Sequence, residues 1–573
     1  MNQLWFTHDD TREYVYPIDR NTLYVKVRCA ADAEYAVHMI YWNKFDKVKK
    51  ECKLESWCWN GKSEFHHVRL AFDETVKYLA YYFEIRGNLE VMYYSVYGLS
   101  LEVPDKYFEY PGTNEQDIFT VPSWAKGAVG YQIFPERFFN GDASNDPPSV
   151  EWWGEPPSRD NFFGGDLRGI IERFHHIKDL GIEVVYLTPI FHSPSNHKYD
   201  TIDYFAIDPS FGTLEDLREL VQLCHRHRMK VILDGVFHHI GYYSEPFQDA
   251  MIHGRQSKYW DWFYVQGDRI DPDLVNYECV GYYKWMPKLK FANPEVRAYF
   301  LSVGEYWIRE AGIDGWRLDV ADEVDFTFWQ EFRRAVKQTD REILLIGETW
   351  KNGMDLLRGD QMDTIMNYRF RDSVIDYFAH RSIDGGEFRN RIESMLHDYP
   401  HAAHPVLYNL LDSHDTARFL TTCLEDIAKF KLAVAFQMTF PGMPFIYYGD
   451  EIGMTGETDP DCRRTMAWES QQEEILSFYR QWADLRQSND AIRYGDFRHL
   501  DTGGDGYGFS RSFGQVHVIA LFNNRNNKCK ISIKLDFQSS SWSYDTDLPG
   551  NGFELIRLEW EGAAFNFTIL AQA

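Results

Sequence analysis

The stretch GIDGWRLDVADEV, residues 312–324, joins a short apolar run to a pair of charges. Trp316 and Leu318 alternate with Arg317 and Asp319, and this period of two is the pattern of a β-strand. Burying a charge is costly unless the charge is paired. Two charges on one face of a buried strand, Arg317 and Asp319, therefore indicate that this face has a function. We interpret the stretch as a buried strand whose carboxyl end lies in a functional site.

Seven more strand-like segments accompany this one, and enough chain for a helix separates each from the next. In chain order the eight segments are residues 128–135, 184–191, 231–237, 315–320, 343–350, 362–368, 406–413 and 444–451. Eight β-then-α units over roughly 350 residues are typical of a (β/α)₈ TIM barrel. The chain between the third and fourth strands is too long for one helix, which predicts an inserted subdomain at about residues 240–292.

The two ends of the chain have a different pattern from the barrel. In LYVKVRCA, residues 23–30, apolar residues occupy every second position, and QVHVIALF and KISIKLDF repeat this pattern near the C-terminus. The sequence therefore predicts a multidomain α/β protein. Its parts are an N-terminal β-sandwich at 1–122, the barrel at 123–490 and a C-terminal β-sandwich at 491–573.

Composition excludes several classes of partner. The chain has 573 residues, a formal net charge of −27 and eight scattered cysteines. A polyanion would be repelled, so we expect no nucleic acid partner. The sequence contains neither an apolar stretch of about 18 residues nor the basic and apolar regions of a signal peptide. Scattered cysteines without a C-x-x-C pair are typical of reduced thiols, so we expect a cytoplasmic protein without a membrane span.

Charged residues accumulate where the predicted strands end. Following the third, fourth, fifth and seventh strands, they are Asp234 with His238 and His239, Arg317 with Asp319, Glu348, and His414 with Asp415. The carboxyl ends of barrel strands form the active site of TIM-barrel enzymes. The sequence therefore predicts one rim that gathers these side chains.

Carboxylates with different proton affinities suit glycoside hydrolysis, which needs one ionised carboxylate and one proton donor. Arg317 is placed to keep Asp319 ionised, and the apolar neighbours of Glu348 are expected to raise the pKa of that carboxyl. A metal hydrolase is the alternative. Its ligands would be Asp234, His238, His239, Asp319 and His414, although no H-x-H or H-x-x-x-H pair follows a strand.

Four of these segments resemble the conserved regions of the α-amylase family of glycoside hydrolases. They are DGVFHH at 234–239, GWRLDVADE at 315–323, GETW at 347–350 and LLDSHDT at 410–416. MPKLK at 286–290 resembles the MPKLN signature of the subgroup that contains neopullulanases, cyclomaltodextrinases and maltogenic amylases. The resemblance covers the whole chain, including the N-terminal β domain.

The resemblance implies a role for each matching residue. Asp319 would be the nucleophile, Glu348 the general acid and base, and Asp415 a third carboxylate that grips the sugar. The implied substrate-binding residues are Tyr199, His239, Arg317, Glu323, Trp350, Tyr368, His414, Asp459 and Arg463. The implied reaction is retaining cleavage of α-1,4 links in cyclodextrins, pullulan and maltooligosaccharides, with transglycosylation. An α-1,6-acting glucosidase, a predominantly transferring enzyme and a non-catalytic carbohydrate-binding protein are the alternatives.

The loop NGDASND, residues 140–146, suggests a structural Ca²⁺ site, since calcium prefers many oxygen ligands. The candidate ligands in this loop are Asn140, Asp142, Asn145 and Asp146, and the resemblance to the family implies two more, Gly164 and Asp166. A solvated Asn/Asp turn is the alternative.

The resemblance also implies a homodimer formed through the N-terminal domain. Three residues depart from the family pattern, namely Asp322, His238 and Lys290. Asp322 adds a negative charge near the predicted acceptor side, and Lys290 could offset it. These departures concern the choice of substrate and acceptor rather than the bond-breaking chemistry.

Overall fold

The computed structural model describes residues 5–30, 35–59, 63–87, 90–502, 506–537, 541–561 and 564–573. The chain divides into two compact units. One unit contains Met1–Thr120 with Asp384–His404, and the other contains Val121–Ile383 with Pro405–Ala573.

The first unit contains two antiparallel sheets that share one apolar core. The first sheet has the order Phe6–Thr7, Thr22–Ala30, Ser63–Ala71 and Glu55–Trp59, with Val15–Pro17 also paired to Thr22–Ala30. The second has the order Gly98–Ser100, Val91–Ser95, Lys77–Gly87, Tyr35–Asn43 and Lys50–Lys53, with Phe108–Gly112 also paired to Lys77–Gly87. The predicted alternation is confirmed, because Leu23, Val25, Val27 and Cys29 are fully buried in this core.

The other face of the same strand is covered by a distant segment. Lys26 is buried, and its Nζ donates to the backbone O of His397 at 2.8 Å. His397 lies in the helix Gly385–Asp398, which belongs to this unit. The strand pattern therefore predicted which residues share a face but not what covers the second face.

Eight parallel strands form the barrel of the second unit and confirm the predicted fold. In chain order they are Gly130–Ile133, Val184–Leu187, Lys230–Gly235, Gly315–Leu318, Leu344–Gly347, Thr364–Ile365, Tyr408–Leu410 and Met443–Tyr447. Neighbouring strands pair in parallel register, and a bridge between Met366 and Tyr408 joins the sixth strand to the seventh. The interior is filled by apolar side chains such as Ile232 and Ile346.

The main helices around these strands are Leu167–Glu172, Phe174–Asp179, Leu214–Arg226, Pro294–Ala311, Phe326–Thr339, Tyr368–Val374, Ile427–Thr439 and Glu473–Gln487. Further helices are Pro135–Phe138, Glu245–His253, Phe419–Thr422 and Asp490–Tyr494. Thr213 and Asp216 form a capping box at the start of Leu214–Arg226, which fixes where that helix begins. The apolar spacing of residues 170–181 predicts one continuous helix, but the helical segment is divided at Arg173 into Leu167–Glu172 and Phe174–Asp179.

A long insertion follows the third barrel strand, as predicted. It contains Glu245–His253, short 3₁₀ turns and isolated bridges. One bridge pairs His239 with Lys288, so the MPKLK segment lies directly against the chain that leaves the third strand.

The C-terminal strands form a smaller β-sandwich within the second unit. One sheet has the order Asp496–Leu500, Tyr507–Phe513, Val516–Phe522, Phe553–Glu561 and Ala564–Gln572, and the hairpin Cys529–Asp536 with Ser541–Leu548 packs on its apolar core. None of the described helices is both long and apolar enough to cross a membrane.

Candidate active site

The third, fourth and fifth barrel strands bring the predicted charged residues to one rim. Asp234 pairs in register with Arg317, and Arg317 with Ile346. Asp319 and Glu348 each follow the last residue of their strand, so both project from the carboxyl end of the barrel. Both are largely buried, with 6% of each residue exposed, so their charges depend on protein partners rather than on water.

Arg317 lies at the centre of this rim and is completely buried. Its Nη1 donates to Asp319 Oδ1 at 2.6 Å and to Asp234 Oδ1 at 3.0 Å, and its Nη2 lies 2.9 Å from Glu348 Oε2. One guanidinium therefore faces three carboxylates that come from three neighbouring strands. The cluster therefore carries more negative than positive charge in a place that is shielded from water.

The surroundings of Asp319 act on its pKa in opposite directions. Burial raises the pKa of Asp319 well above its usual value, Arg317 opposes the rise, and the charges of Glu348 and Asp234 add to it. Burial likewise raises the pKa of Asp234 to about 6. Arg317 therefore favours the ionised form of Asp319, the direction expected from the sequence, but it is shared among three dehydrated carboxylates and does not outweigh the effect of burial.

Glu348 has polar neighbours, whereas its neighbours in the sequence suggested an apolar setting. Its Oε2 accepts a hydrogen bond from the backbone N of Val320 at 2.9 Å, and its Oε1 accepts one from Trp350 Nε1 at 3.1 Å. Val320 presents its N–H from a left-handed backbone with φ 47° and ψ 45°. This conformation is strained for a β-branched residue, and strain of this kind is concentrated at functional sites.

A hydrogen-bonded chain lies beside the arginine. Tyr199 OH donates to Asp234 Oδ2 at 2.9 Å and lies 2.6 Å from His414 Nε2, and the Tyr199 and His414 rings are parallel with centres 5.4 Å apart. Gln132 Nε2 donates to His414 Nδ1 at 2.6 Å. Burial lowers the pKa of His414 well below its usual value. The ring is therefore neutral, accepting at Nδ1 and donating at Nε2.

Arg463 joins the two remaining predicted carboxylates to this chain. Its Nε donates to the backbone O of His414 at 2.8 Å, and its Nη2 donates to Asp415 Oδ1 at 3.2 Å. Its Nη1 pairs with Asp459 Oδ1 at 3.0 Å. The Asp415 and Asp459 side chains are each 28% exposed, so both can contact a ligand at the rim.

The two histidines after the third strand contact different parts of the site. His239 Nε2 lies 3.0 Å from the backbone O of Tyr199, and His238 Nε2 lies 3.3 Å from Glu323 Oε2. Burial lowers the pKa of His238 to about 3 and that of His239 to about 4, so both rings are neutral near pH 7. His238, one of the three departures from the family pattern, therefore lies beside Glu323, the residue predicted on the acceptor side.

The other two departures from the family pattern, Asp322 and Lys290, contact different residues. Asp322 accepts a hydrogen bond from Thr349 Oγ1 at 3.0 Å, and Lys290 Nζ lies 5.7 Å from the centre of the Tyr264 ring. Among the described residues, Asp322 and Lys290 form no ion pair. Lys290 could therefore offset the negative charge of Asp322 only by electrostatic attraction without direct contact.

Trp350 and Tyr368 form an aromatic stack at the edge of the site. Their rings are 3.9 Å apart and inclined by 15°. Tyr368 is buried, whereas 51% of Trp350 is exposed. A half-exposed indole offers a flat apolar surface of the kind that stacks on a sugar ring.

The metal hydrolase interpretation is not supported by the arrangement of these side chains. Over the described residues, no group of three or more His, Cys, Asp or Glu side chains is arranged to hold a metal ion. The rim carboxylates instead point at Arg317 and Arg463.

The predicted calcium loop is folded around Asp166. Both carboxylate oxygens of Asp166 accept N–H groups, from Gly141 and Gly169 at Oδ1 and from Asp142 and Asn145 at Oδ2. Asp166 thereby caps the helix Leu167–Glu172.

Two members of the polar network were missed at the sequence level. Tyr186 OH donates to Asp234 Oδ2, and Gln132 supports His414 as described above. Each lies inside an apolar barrel strand. A polar side-chain group in such a strand was the signal that could have identified them, because a buried polar group needs a hydrogen-bond partner.

Comparison with known proteins agrees with this geometry. Residues 132–494 match the family described as "Alpha amylase, catalytic domain", and residues 1–114 match "Alpha amylase, N-terminal ig-like domain". A cyclomaltodextrinase of Thermoanaerobacter pseudethanolicus is 43% identical over 530 residues, which cover 91% of this chain and 92% of the relative. Neopullulanase 2 of Thermoactinomyces vulgaris is 42% identical, with 92% of both chains covered. A solved cyclomaltodextrinase structure superposes with a TM-score of 0.89 at 35% identity, covering 95% of this chain and 98% of that one. The chain therefore belongs to the α-amylase family of glycoside hydrolases, as its sequence motifs predicted.

Proposed function

We propose that this enzyme cleaves α-1,4-glucosidic links of cyclodextrins, pullulan and maltooligosaccharides with retention of configuration. The observation that carries the proposal is the Arg317 guanidinium, which holds Asp319 at 2.6 Å and Glu348 at 2.9 Å through its two terminal nitrogens. Two carboxylates tied to one guanidinium are held close together. Retaining glycosidases place their carboxyl groups about 5–5.5 Å apart, whereas inverting enzymes leave room between them for a water molecule.

Asp319 is suited to the nucleophile's role. Arg317 binds its Oδ1, and Oδ2 accepts no hydrogen bond from the described residues, so Oδ2 is the oxygen for the anomeric carbon. In the first step a bond forms between Oδ2 and C1 while the bond from C1 to the glycosidic oxygen breaks, and Glu348 gives that oxygen its proton. In the second step Glu348 takes a proton from water or a sugar hydroxyl, which attacks C1 and releases Asp319. A sugar acceptor gives transglycosylation.

The remaining rim residues are suited to gripping the sugar at the cleaved link. Asp415 and His414 present a carboxylate oxygen and a ring N–H beside each other, with His414 Nε2 3.1 Å from Asp415 Oδ2. Paired donors and acceptors of this kind bind neighbouring sugar hydroxyls. Arg463 holds both groups in place through its bonds to the His414 carbonyl and to Asp415.

Product analysis tests the substrate proposal. We expect turnover of β-cyclodextrin, and release from pullulan of panose, the trisaccharide that retains the α-1,6 link. The reason is that the relatives covering most of the chain are named cyclomaltodextrinase and neopullulanase. Maltotriose as the product from pullulan would identify an α-1,6-acting enzyme, and longer oligosaccharides from maltotriose alone would identify a predominantly transferring one. Absence of turnover on both β-cyclodextrin and pullulan would refute the proposal.

We also propose that the 140–146 loop binds a structural Ca²⁺ ion. The buried Asn145 Oδ1 has no hydrogen-bond partner, and oxygen is the donor that calcium prefers. A Cβ added to Gly164 would overlap Asp146 Oδ1 and Asn140 Nδ2, so a glycine leaves room where these side chains meet. Asn140, Asn145 and Asp146 would hold the ion. Asp166, whose oxygens are occupied by N–H groups, would support the loop.

Thermal unfolding tests the calcium proposal. We expect the unfolding temperature to rise with added Ca²⁺ and to fall with EGTA, because an ion that binds the folded state alone stabilises it by about 2.7 kcal/mol at a hundredfold excess over Kd. Asp146→Asn should weaken this response, whereas the exposed control Asp179→Asn should keep it. An unfolding temperature unchanged by millimolar Ca²⁺ or EGTA would leave the loop as a solvated turn.

A cytoplasmic homodimer completes the proposal. A relative 42% identical to this chain over 468 residues is named intracellular maltogenic amylase of Bacillus subtilis, which supports the location. Exposed apolar residues of the N-terminal unit, such as Tyr97, Leu99 and Leu101, support association through that unit. Sedimentation velocity of the full chain and of Leu101→Lys would give a dimer and a shift toward monomer, and a monomeric wild type would refute the dimer.

A further inference from the structure

A second cavity lies between the chain that follows the first barrel strand and the chain that follows the eighth. Its volume is about 1060 Å³, at the upper end of the range that small-molecule sites occupy. Residues between 139 and 157 line one wall together with Arg173, and residues between 452 and 470 line the other. Of the described residues, those predicted to bind substrate at the rim do not line this cavity. The cavity is therefore a separate candidate site.

One segment of the chain separates this cavity from the catalytic rim. Arg463 points toward the rim, where it donates to the His414 carbonyl and to Asp415. The next residue, Arg464, lines the cavity and donates to Asp461 at 2.9 Å and 2.8 Å. Because consecutive side chains reach the two places, the cavity lies close behind the wall of the catalytic site.

Aromatic rings that are fixed in place form part of the cavity wall. Trp153 Nε1 donates to the backbone O of Met466 at 2.9 Å, and Trp468 Nε1 donates to the backbone O of Phe138 at 2.7 Å. Both indoles and the Phe139 ring line the cavity. Because their N–H groups are occupied, the indoles offer a ligand flat apolar surfaces rather than hydrogen-bond donors. Rings held in this way need no ordering before a sugar stacks on them.

Arg173 supplies the hydrogen-bond donors of this wall. Its guanidinium carbon lies 4.0 Å from the centre of the Phe139 ring and 4.8 Å from that of the Trp468 ring. The guanidinium forms no ion pair or hydrogen bond with the described residues, and its Nε is buried without a partner. A guanidinium carries five N–H donors and no acceptor, so a ligand with oxygen acceptors would satisfy it.

Carboxylates supply the acceptors of the same cavity. Glu155, Asp461 and Glu469 line it together with Arg173 and Arg464. Three acidic side chains disfavour a phosphate or another anion, because like charges repel. Hydroxyl groups instead can accept from Arg173 and donate to the carboxylates. Aromatic surfaces with a few donors and acceptors of both kinds are the chemistry that a carbohydrate needs.

We propose that this cavity is a second carbohydrate-binding site, which holds a linear α-glucan segment behind the catalytic rim. Sugar rings stack on the aromatic wall, while their hydroxyls accept from Arg173 and donate to Glu155 or Glu469. The choice of an α-glucan rests on the proposed function, whereas the existence of the site rests on the cavity itself. A glucan chain held here raises the local concentration of substrate beside the rim.

Calorimetric titration of the wild type with a thio-linked maltotetraose counts the sites. Sulfur replaces the glycosidic oxygens of this sugar, so it resists cleavage during the measurement. We expect two binding events in the wild type. Arg173→Met should weaken one event about tenfold or more and leave the other unchanged, because it removes a charged hydrogen-bond donor from the cavity alone. The unbranched methionine side chain keeps the packing between Phe139 and Trp468.

Three further variants assign the two events. Ala467→Phe places a ring in the cavity and should remove the event that Arg173→Met weakens. Asp415→Ala, at the rim, should weaken only the other event. Arg226→Met, at the exposed end of the helix Leu214–Arg226, is the matched control and should keep both. The event that each variant retains shows that the protein is folded.

The outcomes separate the second site from the proposed function. A single event that Asp415→Ala weakens, and that Arg173→Met and Ala467→Phe leave unchanged, would refute the second site. A cavity that binds inorganic phosphate in an Arg173-dependent way, and not the sugar, would also refute it. A single event that Arg173→Met and Ala467→Phe weaken, and Asp415→Ala does not, would support the second site and contradict the proposed function of the rim.

Discussion

Asp319→Asn is expected to lower kcat roughly 10⁴-fold or more while leaving the affinity for maltooligosaccharides nearly unchanged. The amide is almost isosteric and its oxygen can still accept the hydrogen bond from Arg317, which is 2.6 Å long in the wild type. It cannot form the covalent glycosyl–enzyme bond, so the reaction stops at its first step. Steady-state rates on maltotriose and calorimetric titration with the same sugar give the two quantities.

The same substitution should raise the thermal stability of the protein at neutral pH. Because burial raises the pKa of Asp319 above its value in the unfolded chain, this carboxyl destabilises the folded state at neutral pH, and a neutral amide does not. Asp179→Asn, on an exposed helix end, serves as the control for both measurements. Turnover within tenfold of the wild type would contradict the assignment of Asp319 as the nucleophile.

Glu348→Gln is the second variant with a large expected effect. On maltotriose kcat should fall by about 10²–10⁴-fold, the usual contribution of general acid–base catalysis, because the leaving sugar no longer receives a proton. On α-maltosyl fluoride the first step needs no acid, so the variant should release a burst of fluoride. The glycosyl–enzyme should then accumulate, since the base that activates water is also missing.

Mass spectrometry of the quenched burst locates the covalent adduct, which we expect on Asp319. Azide, a nucleophile that needs no base, should restore turnover of the fluoride by the variant as maltosyl azide. Glu219→Gln, which alters an exposed partner of Arg168, should behave like the wild type. Equal losses on maltotriose and on the fluoride, without a burst, would show that Glu348 is not the acid.

Regular hydrophobic patterns predicted the elements of this fold. The eight buried strands were recognised from their apolar runs, and the positions of Leu23, Val25, Val27 and Cys29 followed from alternation alone. The break at Arg173 was not predicted, because the apolar period of residues 170–181 continues across it. Local periodicity reports which side chains share a face, and it does not report where the backbone turns.

The membership of the candidate site was also readable from the sequence. Asp234, Arg317, Asp319 and Glu348 were expected at one rim because the carboxyl ends of barrel strands meet there, and the register of the strands brings them together. The hydrogen-bonding roles of Tyr186 and Gln132 could not be assigned, because the sequence does not show which residue a single polar side chain in an apolar strand will contact.

The sequence by itself determined the barrel, the two β-sandwiches, the family and the residues of the rim, since these depend on the order and spacing of side chains along the chain. Only the tertiary structure decided the electrostatics. It placed one buried guanidinium among three carboxylates, and it surrounded Glu348 with the Val320 amide and the Trp350 indole. Proton affinity depends on charges and donors within a few ångströms in space, and residues distant in sequence supply most of them.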